Sequence, residues 1–177
     1  MSQINLPNVR LSFPNLFATA SFGGDDTGKY DATFILDKED HKDIIKKIQA
    51  AIKGVIKETL KGKHPGEDKL CLKDGDETER EELQGCYSIK ASTKKRPMVI
   101  DKDKTPLTFE DERPYAGSYV NAIISLWGQS NSWGKRVNAS LDGVQFCAHG
   151  EPFGAPGIEA DAFDAFGEAD DDEETPF

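Results

Sequence analysis

The stretch Gly117-Ser-Tyr-Val-Asn-Ala-Ile-Ile-Ser-Leu-Trp127 decides the fold, because its side chains alternate in character along its length. One face of this segment is small or apolar: Ser118, Val120, Ala122, Ile124 and Leu126. The other face mixes aromatic and polar side chains: Tyr119, Asn121, Ile123, Ser125 and Trp127. A period of two residues predicts a β-strand with one buried face. The aromatic rings on the second face indicate that it contacts more than water.

Further strands are predicted on both sides of this segment. They cover residues 4–13, 30–36, 86–93, 98–100 and 135–148. Pro7 favours an edge strand with a bulge for the first of them, and Asp142-Gly143 predicts a bulge or bend in the last. Residues 64–85 and 128–134 are rich in charged residues or in Gly, Asn and Ser, and we expect mostly loops there.

A single long helix is predicted between residues 37 and 62. Asp37 or Asp40 can cap its start, the helix runs to about Lys61, and Gly62 ends it. Its apolar stripe consists of Ile44, Ile48, Ala51, Ile52, Val55 and Ile56. Lys42, Lys46, Lys53 and Lys57 share the opposite face, which is more typical of a solvated surface than of a phosphate site. The predicted class is therefore mainly β with one long helix.

Charge divides the chain into two parts. Residues 151–177 contain 10 acidic residues and no Lys or Arg, whereas residues 1–150 contain 22 acidic and 22 basic residues. The formal net charge of −10 therefore belongs to the last segment. Because Pro, Gly, acidic residues and isolated Phe cannot bury enough apolar surface, we expect residues 151–177 to be a disordered acidic tail. Residues 1–150 are long enough for one domain with its own core.

Several classes of protein are disfavoured by what the sequence lacks. The longest stretch without charged residues is interrupted by Asn, Gln, Ser and Gly, and the N-terminus has no signal-peptide pattern. Three widely spaced cysteines do not predict a disulfide framework, so we expect a cytoplasmic protein. We find no phosphate-binding glycine loop, metal-ligand spacing or nucleophile–base grouping, and therefore expect no cofactor, no metal and no enzymatic activity.

Nucleic acid is the better-supported ligand. Binding of a single strand requires cations for phosphates and aromatic faces for bases, and this chain interleaves the two. The predicted contact residues are Lys90, Lys94, Lys95, Arg96, Tyr115, Tyr119, Trp127, Trp133, Lys135 and Arg136. Phe34 and Tyr87 alternate with apolar neighbours and are predicted to be core, whereas for Tyr119 and Trp127 base stacking and burial are equally compatible with the pattern. The acidic residues 73–82 would repel a phosphate backbone, so we expect them on a loop away from the binding face.

The last residues carry a more specific pattern. The tail ends in Asp170, Asp171, Asp172, Glu173, Glu174, Thr175, Pro176 and Phe177. An acidic run that ends in a terminal Phe resembles the C-terminal peptide of bacterial and phage single-stranded DNA-binding proteins. Residues 30–38, 115–122 and 134–146 are similar to the core motifs of a phage family of such proteins.

This resemblance covers most of residues 4–150 and the tail. It implies an OB-fold, a small barrel of about five strands with a helix packed against it. It also implies a non-catalytic protein of the infected bacterial cell that coats and protects single-stranded DNA during replication and recombination, with little sequence preference. The acidic residues, Pro176 and Phe177 would then bind phage or host replication and recombination proteins.

The sequence leaves open two alternative functions and the oligomeric state. The scattered carboxylates are also compatible with a metal-dependent nuclease, and the acidic tail with a DNA mimic or adaptor protein. The sequence does not distinguish a monomer from a homo-oligomer.

Overall fold

The computed structural model describes residues 2–22, 24–66, 69–78, 81–132 and 134–152. The predicted disordered tail lies outside the described residues, apart from Glu151 and Pro152. Within the described ranges the elements follow in the order β1 (Ser2–Asn15), β2 (Ser21–Phe22), β3 (Asp25–Asp26), β4 (Tyr30–Asp37), α1 (Lys42–Thr59), β5 (Leu72–Asp74), β6 (Cys86–Thr93), β7 (Met98–Ile100), β8 (Tyr119–Asn131) and β9 (Gly134–Ala148).

Five of the strands pair into a closed ring in the order β1, β4, β6, β9, β8 and back to β1. β6 and β9 run parallel and pair at Ser92 and Ser140, whereas the other four pairs are antiparallel. β5 pairs with β6, β7 extends the sheet beyond β9, and β2 and β3 form a separate hairpin between β1 and β4. The predicted OB-fold-like barrel with one long helix is confirmed.

The inner faces of the ring strands form the hydrophobic core. On β8 the predicted apolar face is almost inaccessible to solvent, and both Val120 and Leu126 are 0% exposed. Phe34 of β4 pairs with Ile89 of β6, and both are fully buried. Tyr87 is half-buried and packs against the same cluster, so the prediction that Phe34 and Tyr87 belong to the core is confirmed.

The prediction that the first strand lies at an edge is wrong. β1 lies inside the sheet, between β4 and β8. Its register with β8 shifts between Leu6 and Val9, so Pro7 falls in a bulge where it does not have to donate a ladder hydrogen bond. The neighbouring Asn8 has a φ of 48° and donates its N–H to Asn121 Oδ1 at 2.8 Å.

The helix is shorter than predicted at both ends, and its buried stripe includes Ile45 rather than the half-buried Ile44. The Asp37 carboxylate accepts the N–H groups of Glu39 and Asp40. It therefore stabilises a turn before the helix instead of capping the helix. Gly62 donates its N–H to the Ile56 carbonyl at 2.9 Å and has a φ of 77°, which is the expected glycine stop. Within the described residues no helix is long and apolar enough to cross a membrane.

The hairpin of β8 and β9 is longer than predicted. The ladder continues to Asn131 and Gly134, so most of the predicted loop at residues 128–134 belongs to strands. The predicted bulge at Asp142 is confirmed, because Ile123 pairs with Gly143 while Ile124 pairs with Leu141. Residues 64–85, predicted to be mostly loop, also contain the short strand β5.

The contact between α1 and β8 generates a prediction about two glycines. A Cβ at Gly128 would lie 2.9 Å from Thr59 Cβ and 3.2 Å from Val55 Cγ1, whereas a Cβ at Gly54 would meet nothing within 4 Å. We expect Gly128→Ala to lower the free energy of unfolding by about 1–3 kcal/mol, because the helix must move off the strand. The control Gly54→Ala should raise it by about 0.5–1 kcal/mol, because alanine is the better helix former.

Chemical denaturation of the two variants measures both effects. If Gly128→Ala were as stable as Gly54→Ala, the close packing of α1 on β8 would be contradicted.

Candidate nucleic-acid interface

A groove of about 390 Å³ crosses the outer surface of the barrel. Its walls come from β4, β6, β9 and the chain segment just before β5. Its polar lining includes Thr33, Lys69, Lys73, Lys90, Arg136 and Asn138.

The groove is positively charged. Lys90 projects from β6 and Arg136 from β9, and both are exposed. Lys69 and Lys73 add two further cations from the segment before and within β5. Among the described residues that line the groove, none is an Asp or Glu. Lysine, arginine and hydroxyl groups suit the phosphates of a nucleic acid strand.

Residues 69–73 occupy the gap between β6 and β9. Cys71 donates its N–H to the Val137 carbonyl at 2.9 Å, and its carbonyl accepts the N–H of Lys90 at 3.3 Å. Burial raises the pKa of the Cys71 thiol to about 12, so this thiol is uncharged at neutral pH.

Sequence reasoning missed Lys69 and Lys73, although a signal was present. In Lys-Leu-Cys-Leu-Lys the leucines and lysines alternate. Leu70 and Leu72 point into the core, where they are 8% and 7% exposed, and the two lysines therefore point outward.

One carboxylate lies at the rim of the groove. Asp31 Oδ2 is 3.8 Å from Lys90 Nζ, with side-chain exposures of 13% for Asp31 and 67% for Lys90. The same carboxylate accepts a hydrogen bond from Asn15 Nδ2 at 2.8 Å. Because the Lys90 side chain is 67% exposed and the contact to Asp31 is long, its ammonium group remains accessible to a phosphate.

Trp127 lies beside the groove on the outer face of β8. It is half-buried and pairs in register with Asn138, which lines the groove. Asn138 donates to Gln129 Oε1 at 2.7 Å, and Gln129 pairs with Arg136. The structure thus brings Trp127, Asn138 and Arg136 onto one surface. Trp133 lies outside the described residues.

The remaining predicted cations lie in two different places. Lys94, Lys95 and Arg96 follow the end of β6 and are exposed, and the Arg96 guanidinium lies 5.8 Å from the centre of the Phe17 ring. Lys135 alternates with Arg136 on β9 and therefore faces the other side of the hairpin, where its Nζ is 3.5 Å from Ser130 Oγ.

The two predicted tyrosines do not line this groove. Tyr119 lies 5.8 Å from the Arg10 guanidinium, in a cleft of about 650 Å³ whose lining includes Asp37, Asp40 and Asp43. The Tyr115 hydroxyl donates to the Gly150 carbonyl at 3.0 Å, and its ring stacks on His149 at 5.8 Å. Tyr115 instead lines a separate apolar cleft.

None of the described acidic residues of the segment 73–82 lines the groove. Lys73 lines the groove, whereas Asp74 and Asp76 bind Lys38 at 2.8 and 2.6 Å. Their hydrogen bonds hold the pKa of the Lys38 amine above its usual range, and the bond to Lys38 lowers the pKa of Asp76. These two carboxylates are therefore partly neutralised.

A second cleft suits a phosphate strand less well than the groove does, and the described residues offer no candidate metal site. A larger cleft of about 1000 Å³ lies between α1 and β5, but its lining includes the carboxylates of Asp74 and Glu77. In the part of the chain that the structure describes, no three His, Cys, Asp or Glu side chains form a group that could hold a metal ion.

Comparison with known proteins identifies relatives of the whole chain. The family model described as "Enterobacter phage Enc34, ssDNA-binding protein" matches residues 2–176. "Putative protein p50" of Acyrthosiphon pisum secondary endosymbiont phage 1 is 40% identical over 181 residues, which cover 97% of each chain.

Solved structures show the same relationship. The single-stranded DNA-binding protein of bacteriophage Enc34 in complex with ssDNA is 31% identical, with a TM-score of 0.79 over 86% of this chain and 90% of that chain. The single-stranded DNA-binding protein gp2.5 of bacteriophage T7 is 15% identical, with a TM-score of 0.51 over 90% and 98% of the two chains, and shares the fold. The match over residues 2–176 and the similarity to the Enc34 structure show that this chain belongs to the family of phage Enc34 single-stranded DNA-binding proteins.

Proposed function

We propose that this chain is a non-catalytic protein that binds single-stranded DNA with little sequence preference. It coats and protects transient single strands during phage replication and recombination. The observation that carries the proposal is the groove, whose described lining contains Lys69, Lys73, Lys90 and Arg136 and no carboxylate. The relative solved in complex with ssDNA supports it, because that protein has the same fold and family.

Low sequence preference follows from the chemistry of the groove. Ammonium, guanidinium and hydroxyl groups contact phosphates and sugars, which are the same at every nucleotide. Trp127 adds a ring at the β8 side, and stacking on an aromatic ring accepts all four bases.

Titration of labelled oligo-dT, of duplex DNA and of RNA of equal length, at two salt concentrations, tests this function. We expect oligo-dT to bind more tightly than duplex and more weakly as salt increases. Failure to bind oligo-dT would contradict the proposal, and Mg²⁺-dependent shortening of the oligonucleotide would contradict its non-catalytic part.

The groove cations generate the first binding prediction. The double variant Lys90→Gln/Arg136→Gln should weaken binding to all sequences alike. Each lost phosphate contact should reduce the slope of log affinity against log salt by about 0.7 on single strands. Fluorescence anisotropy at several salt concentrations measures both quantities.

A matched control separates local contacts from net charge. Lys46→Gln/Lys57→Gln removes the same charge from exposed positions on α1. We expect a small change in affinity and an unchanged slope. The reverse result, with the larger effect on the helix variant, would move the DNA path to the lysine face of α1.

Trp127 generates a second prediction, because its ring lies next to groove residues. Binding of DNA should quench the fluorescence of Trp127, which a Trp133→Phe background isolates because the chain has two tryptophans. Trp127→Ala should weaken binding by about 1–3 kcal/mol through loss of stacking.

The control Trp127→Phe keeps an aromatic face and should retain most of the affinity. Equal affinities of the wild type and Trp127→Ala, with the fold intact, would show that Trp127 is not a stacking platform.

The tail has two separable roles in this proposal. Its carboxylates compete with DNA for the cationic groove, since a tethered segment has a high effective concentration. Phe177, with Pro176 and the acidic residues 170–174, recruits replication and recombination proteins. A stop after Pro152 retains the described contacts of residues 149–151, including the hydrogen bond from Arg10 Nη2 to the Glu151 carbonyl at 2.6 Å.

We expect this truncation to tighten binding of oligo-dT, most strongly at low salt, where charge screening is weakest. Deletion of Phe177 alone should leave DNA affinity nearly unchanged and abolish association with replication proteins. Weaker DNA binding by the truncated chain, or intact partner binding without Phe177, would contradict the two roles.

A further inference from the structure

An apolar cleft of about 440 Å³ lies next to the groove, and the function proposed above does not use it. Its lining includes the rings of Phe17, Phe109 and Tyr115 together with Pro14 and Pro114. We call this surface the aromatic cleft. Phe17 and Tyr115 are half-buried against the hydrophobic core, whereas Phe109 is 77% exposed.

Hydrogen bonds fix the Tyr115 side chain and the backbone turn that carries Phe109 at the walls of the aromatic cleft. The Tyr115 hydroxyl donates to the Gly150 carbonyl at 3.0 Å and accepts the Gly150 N–H at 3.1 Å. Phe109 begins a short 3₁₀ turn in which the Asp111 carboxylate accepts the Thr108 N–H at 2.7 Å. A preformed apolar site lowers the entropy lost when a ring enters it.

The aromatic cleft is continuous with the groove through one side chain. The Asp31 carboxylate lies 3.8 Å from Lys90 Nζ, and Lys90 lines the groove. The same carboxylate accepts a hydrogen bond at 2.8 Å from Asn15, which lines the aromatic cleft. A strand that leaves the groove at Lys90 and passes Asp31 therefore meets the side of the aromatic cleft that Asn15 forms.

Charge around the aromatic cleft orients such a strand. The Arg96 guanidinium lies 5.8 Å from the centre of the Phe17 ring, and the neighbouring Lys94 and Lys95 are exposed. Glu112 also lines the cleft. A phosphate is attracted to Arg96 and repelled by Glu112, and the apolar interior is left for the base.

We propose that the aromatic cleft is a subsite for a nucleobase of the DNA strand that leaves the groove, with Arg96 holding the adjacent phosphate. This inference rests on the proposed single-strand binding. In this arrangement Tyr115 contacts DNA as one wall of the subsite, and not in the groove.

Phe109→Ala tests the subsite, because the exposed ring can be removed without opening the core. We expect oligo-dT affinity to fall by about 5- to 150-fold, the range observed for loss of one base stack. The salt slope should not change, since no cation is lost. Phe109→Tyr should keep the affinity of the wild type.

Two controls make the test specific. Met98→Ala removes an exposed side chain of similar accessibility, 68%, from β7, where it lines neither the groove nor the aromatic cleft, and should leave affinity unchanged. On a strand of abasic sugar–phosphate, wild type and Phe109→Ala should bind equally, because no base is present to enter the cleft. Phe109→Ala and Met98→Ala should both melt at the same temperature as the wild type.

The outcomes separate this inference from the proposed function. If the wild type binds oligo-dT and Lys90→Gln/Arg136→Gln weakens it, but Phe109→Ala has no effect, the subsite is wrong and the function stands. Tighter binding by Phe109→Ala would also overturn the subsite, since it would indicate that the C-terminal peptide occupies the cleft in competition with DNA. If the wild type does not bind oligo-dT, the proposed function itself fails.

Discussion

The backbone of Cys71 links the two strands whose parallel contact closes the barrel. β6 and β9 pair directly at Ser92 and Ser140, and farther along Cys71 lies between them, bonded to Val137 on one side and to Lys90 on the other. Without this bridge, the facing N–H and carbonyl groups would need other partners, and an unsatisfied buried backbone group is costly. The bridge also places Lys69 and Lys73 beside the groove. Closure of the barrel and the charge of the groove thus depend on the same short segment.

Local arrangement of charge matters more for this protein than its net charge. Screening limits charge–charge interactions to about 10 Å at 0.1 M salt, so a strand in the groove experiences mainly the nearby lysines and arginine. Some carboxylates of the described residues are bound to cations, Asp74 and Asp76 to Lys38 and Asp101 to Arg113. A chain with a formal charge of −10 can therefore present a cationic surface.

Alternation predicted the elements well where a strand has one buried face. β6 and β7 were predicted with the bounds that the structure has, and the two faces of β8 are as predicted. For β1 the strand and its bulge at Pro7 were predicted correctly, but its position inside the sheet was not, because a proline at an edge and a proline in a bulge have the same local sequence. β5 was not predicted, because its three residues are shorter than the alternating runs that indicate a strand, although leucines and lysines alternate in residues 69–73.

The sequence also failed to predict which candidate site residues lie together. Lys135 and Arg136 are adjacent in sequence, yet they face opposite sides of the hairpin. Tyr115 and Tyr119 were predicted as one set with Trp127, but Tyr119 lies by Arg10 and Tyr115 by Gly150. Phe17 and Phe109 gave no signal, since isolated aromatic residues in loops have no period to analyse.

The sequence by itself determined the class of the fold, the faces of its long strands, the acidic character of residues 151–177 and the family motifs. These properties are local: they depend on the order of residues along a few turns or pleats. Only the tertiary structure decided which cations meet, because Lys69, Lys90 and Arg136 come from three segments that are joined by nonlocal backbone hydrogen bonds. Register between strands depends on bulges and on the whole core, and no single segment of sequence contains that information.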